Sequence, residues 1–314
     1  PVFGGSAITS RTMLPVADSR SIAVNIAPDG RLLTVLREDG TAELHAEDGS
    51  LIKQFSIEPG GGMVSPVFRK NALVYFKNGA IVVHPFDYIA ESSISLVTDA
   101  AFGTKTVYPV PFKRCDSIKL IELTSDSFEA VFAADTELHY LKIENATDLA
   151  GNTVRKRTAW KAVMADAIAG MGKSTDGAII AALRNGDVWF VTDGTTMSRG
   201  YTDAGTTVFG QLIGGRGLVS GLYSGGISVW NLLNRGDQSV YMKIHELPPM
   251  KGLINGFAFS GRDRSFVAWD NAGTVHLYYS TNERLCLSFS GKPGQRYSMS
   301  DKGDALVSYG ADTE

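Results

Sequence analysis

Short apolar stretches separated by polar turns recur along the whole chain, and one unit repeats. The unit has an apolar strand, a polar turn, a second apolar strand, a glycine-type hairpin turn and an alternating third strand. Period-two alternation bounded by Gly, Asn and Asp predicts β-strands. The third copy is irregular and is followed by a polar insertion within 142–160. The copies occupy residues 21–57, 64–86, 107–143, 162–191, 209–233, 254–289 and 296–310.

The turns between the second and third strands mark the period of the repeat. They fall at Asp39-Gly40, Asn78-Gly79, Asp135, Asn185-Gly186, Gly225-Gly226 and Ala272-Gly273. Asn-Gly and Asp-Gly suit tight hairpins in which both central residues have positive φ. The turns are about forty to fifty residues apart, which is the period of four-stranded propeller blades.

We therefore predict that residues 1–314 form a single all-β domain, a β-propeller of seven blades. The last copy holds only half a blade, so the early strand at 8–17 is expected to complete it. Stacking twisted sheets around an axis buries both faces of strands that are too short to be stable alone. Six blades plus a tail is the alternative architecture.

The composition agrees with a fold of many strands and turns. Of 314 residues, 44% are hydrophobic, 20% are charged and 34 are glycines. A net charge of −3 and the lack of an arginine-rich arm or base-stacking motif give no argument for a nucleic-acid partner. Cys115 and Cys286 lack metal-ligand spacing. We expect two buried thiols, and the sequence leaves a disulfide between them open.

The segment "AGMGKSTDG" at 169–177 resembles the end of a phosphate-binding P-loop. That motif needs an earlier glycine, where this chain has Ala167, and a following helix. Here Asp176-Gly177 predicts a turn, and strand-like residues follow it. We therefore predict no nucleotide site, and we interpret Lys173 as a residue of the first hairpin turn of its blade.

The histidines and nucleophiles do not form a catalytic pattern. His45 and His84 each lie five residues past a hairpin glycine, and Trp230 and Tyr278 occupy the matching slot, which Tyr140 fits roughly. A slot shared by bulky rings indicates packing between blades rather than metal binding. The chain has no G-x-S-x-G elbow. We predict no catalytic residues, no metal site and no cofactor.

Basic residues recur in the first turn of every copy, and these turns emerge on one face of a propeller. The middle turns, which lean acidic, emerge on the other face. We predict that the basic face binds an anion, acidic lipid headgroups or an acidic partner. The alternative is that exposed turns simply favour Lys and Arg. The basic residues are Arg31, Arg69, Lys70, Lys113, Arg114, Lys173, Arg216, Arg262, Arg264 and Lys302.

Two stretches resemble long-form phosphate ABC transporter permeases of the PstC type. The opening "PVFGGSAI" resembles the segment just after the first membrane helix of these permeases. The run from "GLYSGGISVWNLL" to "ERLCLSF" resembles the extracytoplasmic domain inserted after that helix. The resemblance covers the first ten residues and roughly the last ninety. The family's "D-x-x-G-x-V-x-L-Y" strand pair is matched by Asp270, Gly273, Val275, Leu277 and Tyr278, and "STNER" at 280–284 replaces its "TSER" turn.

This resemblance implies a non-catalytic interaction or regulatory module in phosphate uptake. The domain would lie on the periplasmic face of the bacterial inner membrane, tethered by flanking membrane helices absent from this chain. Its partners would be transporter subunits, the phosphate-binding protein or the anionic membrane surface. The family pattern supplies no ligand or catalytic residue to carry over.

Two other functions are compatible with the repeat. One is a free-standing WD40-like scaffold that binds proteins at one face. Trp269-Asp270 spells the WD40 dipeptide, but it ends the second strand rather than the third, so it is not counted as the signature. The other is a propeller hydrolase or lyase with acidic residues at the channel mouth.

Overall fold

Every regular element in the described part of the chain is a β-strand. The computed structural model describes residues 8, 12–14, 18–27, 30, 32–69, 72–91, 96–212, 217–235, 238–260, 265–279 and 284–310. At 69, 87–91, 96–100, 234–235 and 238–240 only the backbone is described. Within these residues no helix has the length and hydropathy to cross a membrane.

The strands form six sheets and a final hairpin. The first sheet contains β1 (Ser21–Ile26), β2 (Leu32–Arg37), β3 (Thr41–Ala46) and β4 (Leu51–Ser56). The second contains β5 (Val64–Arg69), β6 (Ala72–Lys77), β7 (Ala80–Glu91), β8 (Leu96–Phe102) and β9 (Thr106–Pro109). The third contains β10 (Ser117–Leu123), β11 (Ser127–Ala134), β12 (Glu137–Thr147) and β13 (Thr153–Val163).

The later sheets follow the same plan. The fourth contains β14 (Ile168–Lys173), β15 (Ile179–Leu183), β16 (Asp187–Val191) and β17 (Met197–Tyr201). The fifth contains β18 (Thr206–Gln211), β19 (Gly217–Leu222), β20 (Ile227–Arg235) and β21 (Gln238–Leu247). The sixth contains β22 (Ile254–Phe259), β23 (Ser265–Asp270), β24 (Thr274–Tyr279) and β25 (Arg284–Ser290). The hairpin consists of β26 (Arg296–Met299) and β27 (Leu306–Tyr309).

Each sheet is an antiparallel meander in which sequential strands are neighbours. In the second sheet, the first residues of β7 pair with β9 and its later residues pair with the additional strand β8. A succession of such four-stranded units is the blade architecture of a β-propeller, as the repeat predicts. The insertion within 142–160 is a continuation of β12 and β13, which pair from Glu137 to Thr147 without a break.

The prediction of seven blades is wrong, because the described residues form six. The seventh copy forms only the two-stranded hairpin β26–β27, whose Tyr297 packs with its ring centroid 5.2 Å from that of Trp269 in the sixth blade. Residues 8 and 12–14, the described part of the expected closing strand, have no strand structure. The copy was counted as a blade because its first hairpin has the same sequence pattern as the others. The alternative of six blades and a tail is confirmed.

The chain divides into two compact units, one formed by Pro1–Lys113 with Gly256–Glu314 and the other by Arg114–Asn255. Whether residues 1–314 are one folding domain stays a prediction. In each unit the second strands of the blades are the most buried, and β15 and β23 are buried along their whole length. Continuous apolar runs such as "IIAAL" therefore belong to strands that are covered on both faces.

All six predicted middle turns join the second and third strands of a blade. Asn78-Gly79 has positive φ at both residues, with values of 51° and 75°. At Asp39-Gly40 and Asn185-Gly186 only the glycine has positive φ, which corrects the expectation that both central residues would adopt it. Asp135 has a φ of 57°, a conformation that Asp and Asn tolerate better than other residues.

One hydrogen bond recurs in all six blades and closes each blade at its middle turn. We call it the blade-closing bond: the amide that follows the outermost strand donates to the carbonyl of the middle turn, at 2.7 to 3.0 Å. The bond links the end of the outermost strand to the turn that connects the second and third strands. The pairs are Ile57 to Gly40, Val110 to Gly79, Met164 to Thr136, Thr202 to Gly186, Met250 to Gly225 and Gly291 to Gly273.

Replacing Gly40 with Ala tests the closeness of this contact. A Cβ on Gly40 would lie 1.8 Å from the Glu58 carbonyl oxygen, at a φ of +88°. We expect Gly40→Ala to lower the free energy of unfolding by about 3 kcal/mol or more, the sum of left-handed strain and overpacking. Gly79→Ala is the matched control, because its φ is +75° but no atom lies within 4 Å of the added carbon. Urea unfolding measures both, and equal losses would contradict the close approach at Gly40.

Candidate functional site

The P-loop-like segment is a β-hairpin. Lys173 is the last residue of β14, and β15 follows in place of the helix that a phosphate cradle requires. The amide of Ser174 donates to the carbonyl of Ala178 at 2.9 Å and closes the turn. Ser300 and Ala305 make the same bond in the final hairpin, which confirms the alignment of these turns in the sequence.

Lys173 neutralises a buried carboxylate of the neighbouring blade. Its Nζ lies 2.7 and 2.8 Å from the two carboxylate oxygens of Glu129, whose side chain is 1% exposed. The Tyr140 hydroxyl donates to the same carboxylate at 2.8 Å. Burial, and then the adjacent Glu129, raises the pKa of Tyr140. Lys173 therefore stabilises the packing of two blades.

The two glycines of "AGMGK" let the next blade come close. A Cβ on Gly170 would lie 2.5 Å from Cβ of Phe209, and one on Gly172 would lie 2.5 Å from the Gln211 side-chain oxygen. Gln211 accepts a hydrogen bond from the Lys173 amide at 3.0 Å and donates one to the Lys173 carbonyl. The Gln211 side-chain amide thus hydrogen bonds with the backbone of β14 as a residue of a neighbouring strand would. Glycines two residues apart in a first strand were the sequence signal for this contact.

The structure gives a partial view of the predicted basic face. Residues 31, 70, 216, 262 and 264 lie outside the described residues, and Arg69 is described only in its backbone. Lys302 is exposed in the hairpin between β26 and β27. Lys173 is paired as described above. A basic face that includes all ten residues stays a prediction.

Lys113 and Arg114 are not in a first turn. They precede β10, so they belong to the connection between the second and third blades, and the first turn of blade three is at 124–126. Arg114 pairs with Asp116 at 2.6 Å, and Asp116 accepts the amide of the middle-turn residue Asp135 at 2.7 Å. Arg114 therefore lies at the middle-turn end of its blade. The irregular third copy caused the misalignment, because "VYPVPF" reads as a first strand but contributes β9 to the blade before it.

The acidic residues of the middle turns hold those turns together. Asp39 accepts hydrogen bonds from the amide and hydroxyl of Thr41, and these bonds lower its pKa. Asp270, which is 2% exposed, accepts the amides of Ala272 and Thr274. Local turn geometry accounts for these carboxylates, as Asx-turns generally do.

The histidine slot is a packing position. His45, His84, Trp230 and Tyr278 each face the second residue of the preceding strand, which confirms their alignment, whereas Tyr140 does not share that register. His45 is 3% exposed and its Nε2 lies 3.1 Å from Glu43. Among the described residues there is no group of three or more His, Cys, Asp or Glu side chains suited to a metal ion.

Both cysteines are free thiols. Cys115 is buried as predicted, and burial, reinforced by Asp116, raises its pKa to about 12. Cys286 is only partly buried. The pairing that the sequence left open is absent from the structure.

Glu58 follows the first blade, and three hydrogen-bond donors surround its carboxylate. Its carboxylate accepts the Tyr75 hydroxyl at 2.6 Å and lies 2.9 Å from Lys77 Nζ and 3.4 Å from Lys105 Nζ. Burial alone would raise the pKa of Glu58, but the hydrogen bonds from Tyr75 and the two lysines outweigh it and lower the pKa to about 2. We therefore expect this cluster to make the stability of the fold depend on pH.

The unit Arg114–Asn255 carries an exposed surface with the residue types that dominate protein interfaces. We define the Arg184–Tyr223 ridge as three adjoining segments: the middle turn 184–187, the connection 202–205 and the middle turn 222–226. The Gly205 amide donates to the Arg184 carbonyl, and the Tyr223 amide donates to the Gly205 carbonyl, both at 2.9 Å. These bonds join two neighbouring blades into one backbone surface.

The ridge displays Tyr223 and Arg184, and Tyr201 borders it. Tyr223 is 73% exposed and Tyr201, which directly precedes the connection, is 59% exposed. The Arg199 guanidinium lies 4.9 Å from the Tyr201 ring centroid and is paired with Asp187 at 2.7 Å, so the ring is held from one side. Arg184 is exposed and has no salt bridge to the described residues. This surface could not be recognised from the sequence, because its residues occur in different repeats.

Comparisons with known proteins establish the fold only. No protein-family model and no curated protein matches the chain. Its fold matches many solved structures, 1270 chains, so the architecture by itself does not single out a function. One is the β-propeller domain of Cps50 (Swd1) from Myceliophteria thermophila, with a TM-score of 0.58 and 12% identity, over 95% of this chain and 98% of that chain. The chain thus has the β-propeller fold, which it shares with this domain.

The buried pair between Lys173 and Glu129 makes a stability prediction. Lys173→Met should lower the free energy of unfolding by about 2 kcal/mol or more, because it leaves the Glu129 charge buried without its cation. Adding Glu129→Gln should recover part of the loss, since a neutral amide still accepts the Tyr140 hydroxyl. Chemical denaturation of both variants is the measurement. A Lys173→Met protein as stable as the parent would contradict the structural role.

Glu58 makes a prediction about pH. Because its pKa is lowered in the folded state, its contribution is present above the unfolded value near 4.5 and is lost as the pH falls toward 2. We expect Glu58→Gln to cost roughly 1 to 2 kcal/mol at pH 7 and nothing near pH 2. Urea titrations at pH 7, 5, 3 and 2 test this, with the exposed Glu47→Gln as control. A loss that stays constant with pH would refute the assignment.

Proposed function

We propose that the protein is a non-catalytic interaction scaffold that binds a partner protein through the Arg184–Tyr223 ridge. The exposure of Tyr223 carries the proposal: a large aromatic side chain is 73% exposed on a turn whose backbone is anchored by hydrogen bonds. Tyrosine and arginine are enriched among the residues that supply most of the binding energy in interfaces. The WD40-like fold supports a scaffold but does not identify its partner.

Hydrogen bonds anchor the backbone of the ridge, and this anchoring favours partner binding. Gly186 and Gly225 accept blade-closing bonds from Thr202 and Met250, so each middle turn is fixed at its base. A surface that is rigid before binding loses little conformational entropy when it binds. Arg184 adds an exposed positive charge on a segment that is hydrogen bonded to the one carrying Tyr223 through Gly205, so the partner surface should combine an apolar pocket with carboxylate or carbonyl groups.

A photo-crosslinking experiment tests the proposal. A photoreactive phenylalanine replaces Tyr223 in cells, and the covalent adduct identifies the partner, which is then purified. We expect Tyr223→Ala and Arg184→Glu each to weaken binding of the partner by tenfold or more relative to the parent chain, measured by calorimetry. Leu149→Ala is the control, because Leu149 is fully exposed at the tip of the β12–β13 hairpin, away from the ridge segments in sequence. Unchanged affinity in both ridge variants would overturn the assignment.

A narrower proposal is that this scaffold is the extracytoplasmic domain of a phosphate ABC transporter permease. The match of Asp270, Gly273 and Val275 to the permease pattern supports it, whereas the comparisons give it no support. In that case the scaffold would lie on the periplasmic face of the inner membrane and its partner would be a transporter subunit or the phosphate-binding protein. Sequencing the gene beyond both ends of this sequence tests this origin. Flanking membrane helices are expected, and their absence would refute it.

A further inference from the structure

The outermost strand of the third blade, β13, differs from the other outer strands in its length and regularity. It pairs with β12 over eleven residues, from Thr153 to Val163, with no shift of register. The outer strands β4, β8, β21 and β25 pair across a β-bulge or similar irregularity. The remaining two, β9 and β17, have four and five residues.

Bulges, short length and charged side chains are the usual means by which proteins prevent an edge strand from pairing with another chain, and β13 has only the charges. In the described part of the chain, β13 lies at the end of its sheet and hydrogen bonds with β12 alone. Nine of its eleven residues are exposed. From Thr153 to Ala159, where every residue is exposed, its outer row of amides and carbonyls is therefore a template for an added strand, whereas Gly194 of the next blade lies close to the Lys161 carbonyl.

The charge of this edge is uniform. Between Thr153 and Val163 the strand has Arg155, Lys156, Arg157 and Lys161 and no Asp or Glu. Because alternate residues of a strand share a face, Arg155, Arg157 and Lys161 lie on one side of the sheet. Neighbours in this row that are two residues apart are separated by about 7 Å. Lys161 is paired with Glu137 of β12 at 3.0 Å.

The other side of β13 has a different chemistry. Trp160 is half-buried and stacks on Tyr140 with ring centroids 4.9 Å apart. Val154, Lys156 and Thr158 lie on the same side, and all three are exposed. An added strand would thus meet a row of cations on one face and a single lysine among apolar or β-branched neighbours on the other.

We propose that β13 binds an extended acidic peptide as an additional strand, with carboxylates at alternate positions facing the Arg155–Arg157 row. The main-chain bonds of strand addition supply affinity, and the alternating side chains supply specificity. A second copy of this chain is a poor occupant, because two β13 edges would place cations opposite cations, which destabilises strand pairing. The site is separate from the ridge and does not depend on the ridge's role.

The test uses two fluorescein-labelled peptides of identical composition. One alternates, with the sequence EVETEVET, and the other segregates the charges, with the sequence EEEEVTVT. We expect the alternating peptide to bind at least tenfold more tightly in fluorescence anisotropy at low salt. Amide exchange within 153–163 should slow by tenfold or more when it is saturated. Equal affinity of the two peptides would show simple charge attraction and would overturn the proposal, as would binding that leaves the exchange of β13 unchanged.

A charge-reversal variant provides the second arm. Arg155→Glu with Arg157→Glu should weaken binding of the alternating peptide by at least tenfold. Lys251→Glu with Lys292→Glu changes the net charge equally at exposed positions outside β13 and should leave the affinity within twofold. Thermal unfolding checks that both variants fold like the parent. The same loss in both variants, or no binding of either peptide to the parent, would also contradict the proposal.

Discussion

The blade-closing bond is the constraint on which the blades depend. Each blade is a meander whose fourth strand has one neighbour in the sheet, so its far end would fray if only side chains held it. The hydrogen bond to the middle turn fixes that end, and in four of the blades the chain comes too close to the turn to leave room for a Cβ. Gly40, Gly186, Gly225 and Gly273 provide the space, because a Cβ at any of them would meet backbone atoms within 3 Å.

The same constraint positions the proposed interaction surface. Thr202 and Met250 make their closing bonds to the turns that form the Arg184–Tyr223 ridge, so the ridge is rigid for the reason that its blades are closed. The β13 edge has a different origin. It is open because the third blade extends its last hairpin without the irregularity that shields four of the other outer strands. The ridge would thus bind a partner through side chains, and the β13 edge would bind one through its main chain.

The repeat could be recognised from the sequence because turn chemistry is local. Asn78-Gly79 and Asn185-Gly186 need little context to indicate hairpins, and every middle turn falls where the pattern predicts it. Non-local features were harder to predict. "VYPVPF" forms the fourth strand of blade two because β7 continues into an additional pairing with β8, and no residue of that segment signals the exchange. The blade count failed for a similar reason, since one hairpin of a blade looks the same with or without the other two strands.

The functional residues show the same limit. Lys173 was correctly placed at its hairpin, but its partner Glu129 lies in the preceding blade and no spacing rule connects them. Arg184 and Tyr223 are linked only through the backbone of Gly205, and Tyr201 is placed by its pairing with Asp187. A site whose residues come from different repeats can be recognised only when the register of each blade is known. The sequence predicts that register only approximately.

Hydrogen exchange by NMR tests the central claim most directly. The account predicts that the amides of the six closing bonds, at Ile57, Val110, Met164, Thr202, Met250 and Gly291, exchange about a thousandfold more slowly than the unprotected amides of exposed turns such as Thr175. Protection that is present in the central strands but absent at these six amides would contradict it, because the blades would then be held by strand pairing alone.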